Sequence, residues 1–419
     1  MRKLLLVLLL LTVALSGCID GVVDSPTKPG EDGGVGDDAP DAETDDDETV
    51  DESVAPETEP DNQVDTGYST IRNFEVSADN FRSMDEIAPH NDIDAGGDVW
   101  ELERDERALG TLTHEGESLD RFLDRTMTTG FVVVHDGKVV YEDYRQGYDE
   151  TTQATSWSVA KSFTSALVGI AVEEGDIDSV DDPVVEYVPE LEGSGYADVT
   201  VYDLLTMSSG VSFEENYDDP TSDIYMLFID AYTDDHTMVE QMAEIEQVSP
   251  PGTRQAYLSS DTVVLGLVVR EATGQRLSDY AEEKLWKPAG MEEDAFWSTD
   301  SAGTEIAMCC LNAQVRDYAR FGLLYLNDGV RADTGEQVVP ADWVHESTVN
   351  QPLRVEPGSG SIDYGYKWWI RGENEYEAVG VYGQSVYVDA ERDVVIAKTS
   401  AGGGGHLGMY RAVAEEVAG

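Results

Sequence analysis

The residues best suited to chemistry are a serine and a lysine three positions apart, Ser158 and Lys161. They open an apolar, helix-periodic segment (157–174), so both side chains are predicted on one helix face, one turn apart. The serine has free backbone N–H groups beside it at the positive end of the helix dipole. A buried lysine loses hydration, its pKa falls, and the neutral amine can take the serine proton. The alternative is a helix-capping Ser158 with Lys161 reaching solvent.

A tyrosine, Tyr257, supplies a third group. It follows the turn-forming sequence 250–256 and precedes a predicted helix that begins at Ser259. A phenol near a lysine can share its proton and protonate a leaving group. Alone, Tyr257 could equally be a core aromatic residue. Together, the three segments provide what an acyl-transferring serine enzyme without histidine requires: a nucleophile, an amine base and a phenol relay.

Other catalytic patterns are missing from the sequence. It contains no G-x-S-x-G nucleophile elbow and no H-E-x-x-H, and its six histidines are scattered, so we expect neither a metal site nor a cofactor. A G-x-G-x-x-G match at 403–408 is followed by only eleven residues, too few for the rest of a dinucleotide site. The adjacent Cys309 and Cys310 are expected to be small buried apolar residues that do not bridge each other.

The sequence also predicts the helices and strands that must position these groups. Residues 131–144 predict a hairpin around Asp136-Gly137, and Gly175 suits the end of the helix that starts near Ser158. Strands near both ends and a helical middle predict an α+β fold: an antiparallel sheet built from both ends of the catalytic region, flanked by helices, with an inserted α-rich subdomain at about 160–260. Further helices are predicted at 201–207, 223–231, 238–246, 259–273, 312–327 and 406–417, and strands at 364–370, 376–380, 384–388 and 393–398.

The region from about 125 to 415 resembles the β-lactamase-related serine hydrolases, which include class C β-lactamases, D,D-peptidases and esterases. It is most similar to the 6-aminohexanoate-dimer hydrolase branch. The resemblance rests on the S-x-x-K helix (156–167), on the LLTMSSG sequence at 204–210, and on segments 316–322 and 364–369. It implies a β-lactamase/transpeptidase-like fold.

The resemblance also implies roles. Ser158 would be the acylated nucleophile, Lys161 its general base, and Tyr257 the relay and leaving-group acid. Ser259 would contact substrate, at a position where β-lactamases usually have Asn and the dimer-hydrolase branch tolerates Ser. Tyr217 lies about where that branch places a second tyrosine against the substrate amide, although a plain loop aromatic is the alternative.

The family's third motif, Lys-Thr-Gly or His-x-Gly on an edge strand, is matched best by residues 378–380. Ala378 would then replace the cation that meets the substrate carboxylate in penicillin-recognising members, and Gly380 would border the substrate. The backbone N–H of Val381, with that of Ser158, would form the oxyanion hole. The Lys-Thr-Ser sequence that begins at Lys398 is the weaker alternative.

The beginning of the sequence predicts an address. A basic head and an uncharged run (4–15) end in Leu-Ser-Gly-Cys, which resembles a lipoprotein signal (1–18) with lipidation at Cys18; an ordinary cleaved signal is the alternative. Residues 19–66 are acidic, lack aromatic residues and are predicted to be a disordered stalk. The hydrolase domain then covers 67–419, and residues 67–125 give no clear signal.

The charge is strongly acidic, with 86 Asp and Glu against 26 Lys and Arg, a formal net charge of −60. Such a surface repels phosphate backbones and excludes nucleic acid as a partner. An acid-rich, lysine-poor composition is typical of proteins that stay soluble in concentrated salt, so we interpret the chain as halophilic; an acidic surface that selects partners is the alternative. The sequence does not indicate an oligomeric state.

These observations predict a lipid-anchored hydrolase on the outer face of the cytoplasmic membrane. It would cleave a small-molecule ester or amide through an acyl-enzyme. A neutral Ala378 in an acidic protein favours neutral or cationic substrates. Two alternatives remain: a β-lactamase or D,D-peptidase, and a catalytically inactive penicillin-binding-like surface lipoprotein.

Overall fold

The structure, a computed structural model, describes residues 74–217, 219, 221–231, 236–354 and 362–419. The predicted signal sequence, Cys18 and the acidic segment 19–66 lie outside these residues and stay predictions. Within the described ranges, none of the helices combines the length and the apolar character needed to cross a bilayer.

The described elements form three consecutive blocks along the chain. The first and last blocks are rich in strands, and the middle block is helical. The described helices, α1 to α12, are Phe74–Phe81, Met84–Ile87, Leu119–Arg125, Ala160–Glu174, Val201–Leu205, Asp223–Ala231, Met238–Glu244, Ser259–Thr273, Leu277–Ala281, Val315–Leu326, Ala341–Ser347 and Leu407–Ala418. The described strands, β1 to β15, are His90–Ile93, Glu103–Arg104, Thr113–His114, Glu117–Ser118, Thr128–His135, Lys138–Tyr144, Ala154–Thr155, Ala295–Ser298, Leu311–Ala313, Val330–Arg331, Glu336–Gln337, Trp369–Ile370, Glu375–Gly380, Gln384–Asp389 and Val394–Ser400.

The main sheet has seven strands in the order β12-β13-β14-β15-β5-β6-β2. Strands β5 and β6 come from the front of the catalytic region and β12 to β15 from its end, so the sheet joins both ends. All neighbours pair antiparallel except the two-residue β2, which runs parallel to β6. The helices α4 to α9 lie between β7 and β8 in the sequence. The predicted α+β architecture is confirmed.

Both faces of this sheet are covered, because side chains alternate along its strands. On β5, Val132 and Val134 belong to the large core shared with α4, α8 and α10, whereas Phe131 and Val133 pack in a smaller cluster with α3 and α12. The long helices thus sandwich the sheet, and the face toward α4 is the one that positions the candidate site.

Local signals placed the main boundaries well. Asp136 and Gly137 form the β5–β6 turn with φ of 51° and 70°, and Gly175, at φ 81°, ends α4 in the left-handed conformation. Three helices were predicted too long: α5 and α7 end two residues before the predicted 207 and 246, and α10 starts after the predicted 312. Residues 311–313 form β9 of a second, four-stranded sheet in the order β1-β8-β9-β7, so α10 begins only at Val315. The sequence predicted a single sheet because these strands are too short to show a period.

The predicted strand 364–370 is mostly wrong, since only Trp369–Ile370 forms a strand. The preceding residues turn tightly instead. A Cβ on Gly365 would lie 1.9 Å from the Ser347 carbonyl oxygen, and Lys367 has a left-handed φ of 67°. Close packing therefore replaces ladder pairing in this segment.

The expectation that Cys309 and Cys310 stay unbridged is also wrong, because the structure joins them in a disulfide. The backbone at Cys310 is left-handed, with φ of 68°, so the two side chains do not alternate to opposite sides as they would in an extended chain. Both residues are buried, at 2% exposure, as predicted.

Candidate active site

Ser158 lies in a 3-10 turn, Trp157–Val159, that leads directly into α4. The turn is fixed on one side by the Ser156 backbone N–H, which donates to the Leu311 carbonyl oxygen at 2.7 Å. From residue 154 to residue 171 every side chain except that of Ser158 is buried. The fold therefore holds one hydroxyl at the surface of an otherwise buried segment.

Lys161 lies beside this hydroxyl, within the protein. Its Nζ is 3.0 Å from Ser158 Oγ and donates to the Met308 carbonyl oxygen at 2.9 Å, and the residue is 1% exposed. Burial lowers the pKa of Lys161 to about 8, against a smaller upward contribution from the Glu215 carboxylate. Ser158 and Lys161 lie on one face of the helix as predicted, and the alternative of a solvent-directed Lys161 is wrong.

Tyr257 completes the cluster from the loop before α8. Its ring lies beneath Lys161, whose Nζ is 5.2 Å from the ring centroid, and it stacks on Trp369 at 5.5 Å. Burial, followed by the Glu215 charge, raises the pKa of Tyr257 well above its ordinary value, while a hydrogen bond with Ser158 opposes the rise. The phenol therefore stays protonated near neutral pH. The structure brings Ser158, Lys161 and Tyr257 together as predicted.

The end of β13 borders the nucleophile turn. A Cβ on Gly380 would lie 2.6 Å from the Ser156 carbonyl oxygen and 3.0 Å from the Ser158 backbone nitrogen, so glycine is needed for this close approach. The peptide that joins Gly380 to Val381 consequently lies next to Ser158. The predicted oxyanion hole needs this proximity, because its two backbone N–H groups must face one point. The roles of Gly380 and Val381 stay predictions.

A carboxylate that the sequence analysis missed, Glu215, organises the other side of the site. It accepts hydrogen bonds from the Ser259 hydroxyl at 2.6 Å, from the Ser259 backbone N–H at 2.8 Å, and from the Tyr217 hydroxyl. Tyr217 and Ser259 are thus brought together, with the Ser259 hydroxyl turned to Glu215. Whether either contacts substrate stays a prediction. Glu215 belongs to no recognisable motif. The one hint in the sequence is its position two residues before the candidate Tyr217.

A second buried lysine, Lys367, also escaped the sequence analysis. Its Nζ donates to the Leu204 carbonyl oxygen at 2.6 Å and lies 3.1 Å from Met207 Sδ, while its own carbonyl accepts from the Ser162 hydroxyl at 2.7 Å. Burial lowers the pKa of Lys367, opposed by the nearby Asp261. Lys367 thus links α4, next to Lys161, to the segment 204–210.

Lys398, the alternative strand-end cation, lies on the face of β15 that packs toward α12 and donates to the Gly383 carbonyl oxygen at 3.0 Å. Ala378, two residues before Gly380, is buried at 1% exposure. No group of histidine, cysteine and acidic residues suited to a metal ion occurs among the residues that the structure describes.

Comparison with known proteins agrees with this geometry. The family described as Beta-lactamase matches residues 119–418. The chain is 30% identical over 306 residues to the 6-aminohexanoate-dimer hydrolase of Paenarthrobacter ureafaciens, which covers 70% of this chain and 77% of that protein. It is 26% identical to penicillin-binding protein 4 of Amycolatopsis lactamdurans, over 44% of this chain and 54% of the relative.

Solved structures of similar proteins share the fold of this chain. A protein from Bacillus anthracis, assigned as a 6-aminohexanoate-dimer hydrolase, superimposes with a TM-score of 0.72 and 28% identity, covering 81% of this chain and 92% of its own. A class C beta-lactamase superimposes with a TM-score of 0.53 at 15% identity, over 71% of this chain and 94% of its own, and shares the fold alone.

Proposed function

This chain belongs to the Beta-lactamase family of serine hydrolases, and we propose that it cleaves small esters or amides through an acyl-enzyme formed on Ser158. The observation that carries the proposal is the 3.0 Å contact between Ser158 Oγ and the buried Nζ of Lys161. A lysine whose pKa falls to about 8 is partly neutral near neutral pH and can act as a base.

In the acylation step, neutral Lys161 takes the proton of Ser158 as Oγ attacks the substrate carbonyl. The backbone N–H groups of Ser158 and Val381 stabilise the negative oxygen of the tetrahedral intermediate. Tyr257, protonated and next to both groups, passes a proton to the leaving alcohol or amine and is reprotonated from Lys161. Water then attacks the acyl-serine and its proton passes to the same pair. When the bond to Ser158 Oγ breaks, the pair returns that proton to Oγ, so the acid is released with the Ser158 hydroxyl and the neutral base restored.

The charges around the site favour neutral or cationic substrates. By the family resemblance, Ala378 would replace the cation of penicillin-recognising members. After burial, the Glu215 charge is the next contribution to the pKa of both Lys161 and Tyr257 and acts to raise each, so its field extends into the site. The negative charge of Glu215 would repel an anionic substrate. The relative named 6-aminohexanoate-dimer hydrolase supports a linear amide as one substrate class.

The test is labelling with a fluorophosphonate probe, together with hydrolysis of p-nitrophenyl acetate, in concentrated salt. Ser158→Ala should lose both while keeping its unfolding temperature. Ser165→Ala is the matched control, since Ser165 is buried in the same helix and its hydroxyl has no partner in the described structure. Loss of labelling in the control, or full turnover by Ser158→Ala, would refute the proposal. Absence of labelling in the wild type would indicate an inactive scaffold, and efficient nitrocefin hydrolysis a β-lactamase.

We also propose that a lipid on Cys18 anchors the enzyme to the outer face of the cytoplasmic membrane. Its support is the sequence of residues 1–18, with a short apolar run that ends in Leu-Ser-Gly-Cys. Cell fractionation tests it. The wild type should sediment with membranes and Cys18→Ser should not, whereas identical fractionation of the two would contradict lipidation.

A further inference from the structure

Helix α1, the first of the described helices, contributes an aromatic ring to the candidate site, although it lies outside the family match at 119–418. The ring of Phe81 is 5.4 Å from that of Trp157 and 5.2 Å from that of Tyr382. The rings of Trp157 and Tyr382 are themselves 5.2 Å apart. The three side chains therefore form a closed triangle, which we call the aromatic triangle.

Two corners of the aromatic triangle adjoin the proposed oxyanion hole. Trp157 directly precedes Ser158, and Tyr382 directly follows Val381. Both have a left-handed backbone, with φ of 44° at Trp157 and 62° at Tyr382. That conformation is unfavourable for residues with a Cβ and persists only where the surroundings enforce it. The backbone conformation on both sides of the proposed hole thus depends on what holds these two side chains.

Phe81 is itself fixed by contacts outside the site. The Tyr148 hydroxyl donates to the Ala78 carbonyl oxygen at 2.7 Å, and the Arg82 guanidinium donates to the Gly147 carbonyl oxygen at 2.9 Å. These bonds tie the end of α1 to the loop after β6. Phe81 is 7% exposed, so its ring is a buried wedge and not a mobile cover.

We propose that Phe81 is a positioning residue for the oxyanion hole. By closing the aromatic triangle, Phe81 holds the backbone on both sides of the hole in one conformation. That conformation directs the Ser158 and Val381 N–H groups to one point. The inference rests on the proposed function, because it assigns Phe81 a task in the same acyl transfer. It also gives the segment before residue 119 a share in catalysis. Its effect should be concentrated in the transition state, where charge on the oxygen develops.

The experiment compares Phe81→Leu with Phe81→Tyr and with a matched control, Phe131→Leu. Phe131 is a fully buried phenylalanine with ring contacts to Tyr141 and Tyr410 on the opposite face of the sheet. Both leucine variants should lose comparable thermal stability. The measurements are kcat and KM for p-nitrophenyl acetate and the affinity for a boronic acid that mimics the tetrahedral intermediate, all below the unfolding transition in concentrated salt.

Phe81→Leu should lower kcat about 10-fold or more with KM within about twofold, and weaken boronate binding by a similar factor. Phe81→Tyr keeps an aromatic ring and should keep kcat and boronate affinity near the wild-type values. Phe131→Leu should also leave kcat and boronate affinity near wild type. If Phe81→Leu changes only stability, like Phe131→Leu, or raises KM alone, the inference is wrong while the proposed function stands. Turnover retained by Ser158→Ala would instead overturn the proposed function and the inference with it.

Discussion

Glu215 binds Ser259 twice, through the backbone N–H at 2.8 Å and through the hydroxyl at 2.6 Å. Ser259 is the first residue of α8 and lies two positions after Tyr257, so a loop carboxylate caps the helix that follows the proton relay. The charge of the same carboxylate opposes the burial that lowers the pKa of Lys161 and adds to the burial that raises the pKa of Tyr257. Glu215 is therefore placed to set both the position and the protonation of the relay.

Removing the charge of Glu215 should move the activity profile to lower pH. Glu215→Gln takes away a negative charge that favours protonated Lys161, so the pKa of Lys161 falls and the base becomes neutral at lower pH. The measurement is kcat/KM against pH at constant salt. The neighbouring Glu214→Gln, at an exposed position, is the matched control and should leave the profile in place. Equal shifts in both variants would contradict the assignment.

The wild-type profile should itself report Lys161. Because only the neutral amine can take the Ser158 proton, kcat/KM should rise with pH, with its midpoint near a pH of about 8, the value to which burial lowers the pKa of Lys161. Lys161→Arg should be inactive across this range, because a guanidinium stays protonated. A profile that is flat from pH 6 to 9, or an active arginine variant, would show that another group is the base.

Gly380→Ala should impair catalysis because the added methyl group would clash with the turn that carries Ser158. The added Cβ would lie 2.6 Å from the Ser156 carbonyl oxygen and 3.0 Å from the Ser158 nitrogen, so the strand end must move away from the nucleophile. We expect a loss of about 10²-fold in kcat, the cost typical of one misplaced oxyanion donor. Gly405→Ala, where a Cβ would meet nothing within 4 Å, is the control and should keep full activity. Wild-type kcat in Gly380→Ala would refute a hole at this point.

Buried Lys398 should make stability depend on pH. Burial, assisted by Arg125 and opposed by Glu377, lowers the pKa of Lys398 from 10.5 to about 7. Between these values the unfolded chain holds a proton that the folded chain lacks, so this group makes the free energy of unfolding rise with pH. Relative to the wild type, Lys398→Met should therefore be most stable near pH 7 and lose that advantage toward pH 10.

Chemical denaturation at several pH values measures this difference. Lys138→Met serves as the control, because the side chain of Lys138, on β6 of the same sheet, is 45% exposed and its hydrogen bond with Glu103 raises its pKa. A pH-independent difference between Lys398→Met and the wild type would show that Lys398 has an ordinary pKa.

Sequence patterns predicted the segments that carry their own signals. Helical spacing placed Ser158 and Lys161 on one face, and Asp136-Gly137 marked the hairpin. Contacts between distant segments gave no such signal. Glu215 and Phe81 reach the site from loops and helices whose own composition is ordinary, and Lys367 reads as a surface residue until the fold surrounds it.

The errors have the same origin. The four-stranded sheet consists of strands of two to four residues, too short for a visible alternation. The backbone at Cys310 departs from the extended geometry on which the expectation for the two cysteines relied. Local pattern predicts elements, whereas tertiary packing decides where their ends and exceptional φ values fall.

The account depends most on acylation of Ser158. Rapid quenching of the wild type during turnover of p-nitrophenyl acetate, followed by peptide mass mapping, measures it directly. We expect one acetyl group on the peptide that contains Ser158, specifically on that hydroxyl, with a matching burst of nitrophenol and neither signal in Ser158→Ala. Turnover with Ser158 unmodified, or acetyl groups on another residue with the same burst, would contradict the account.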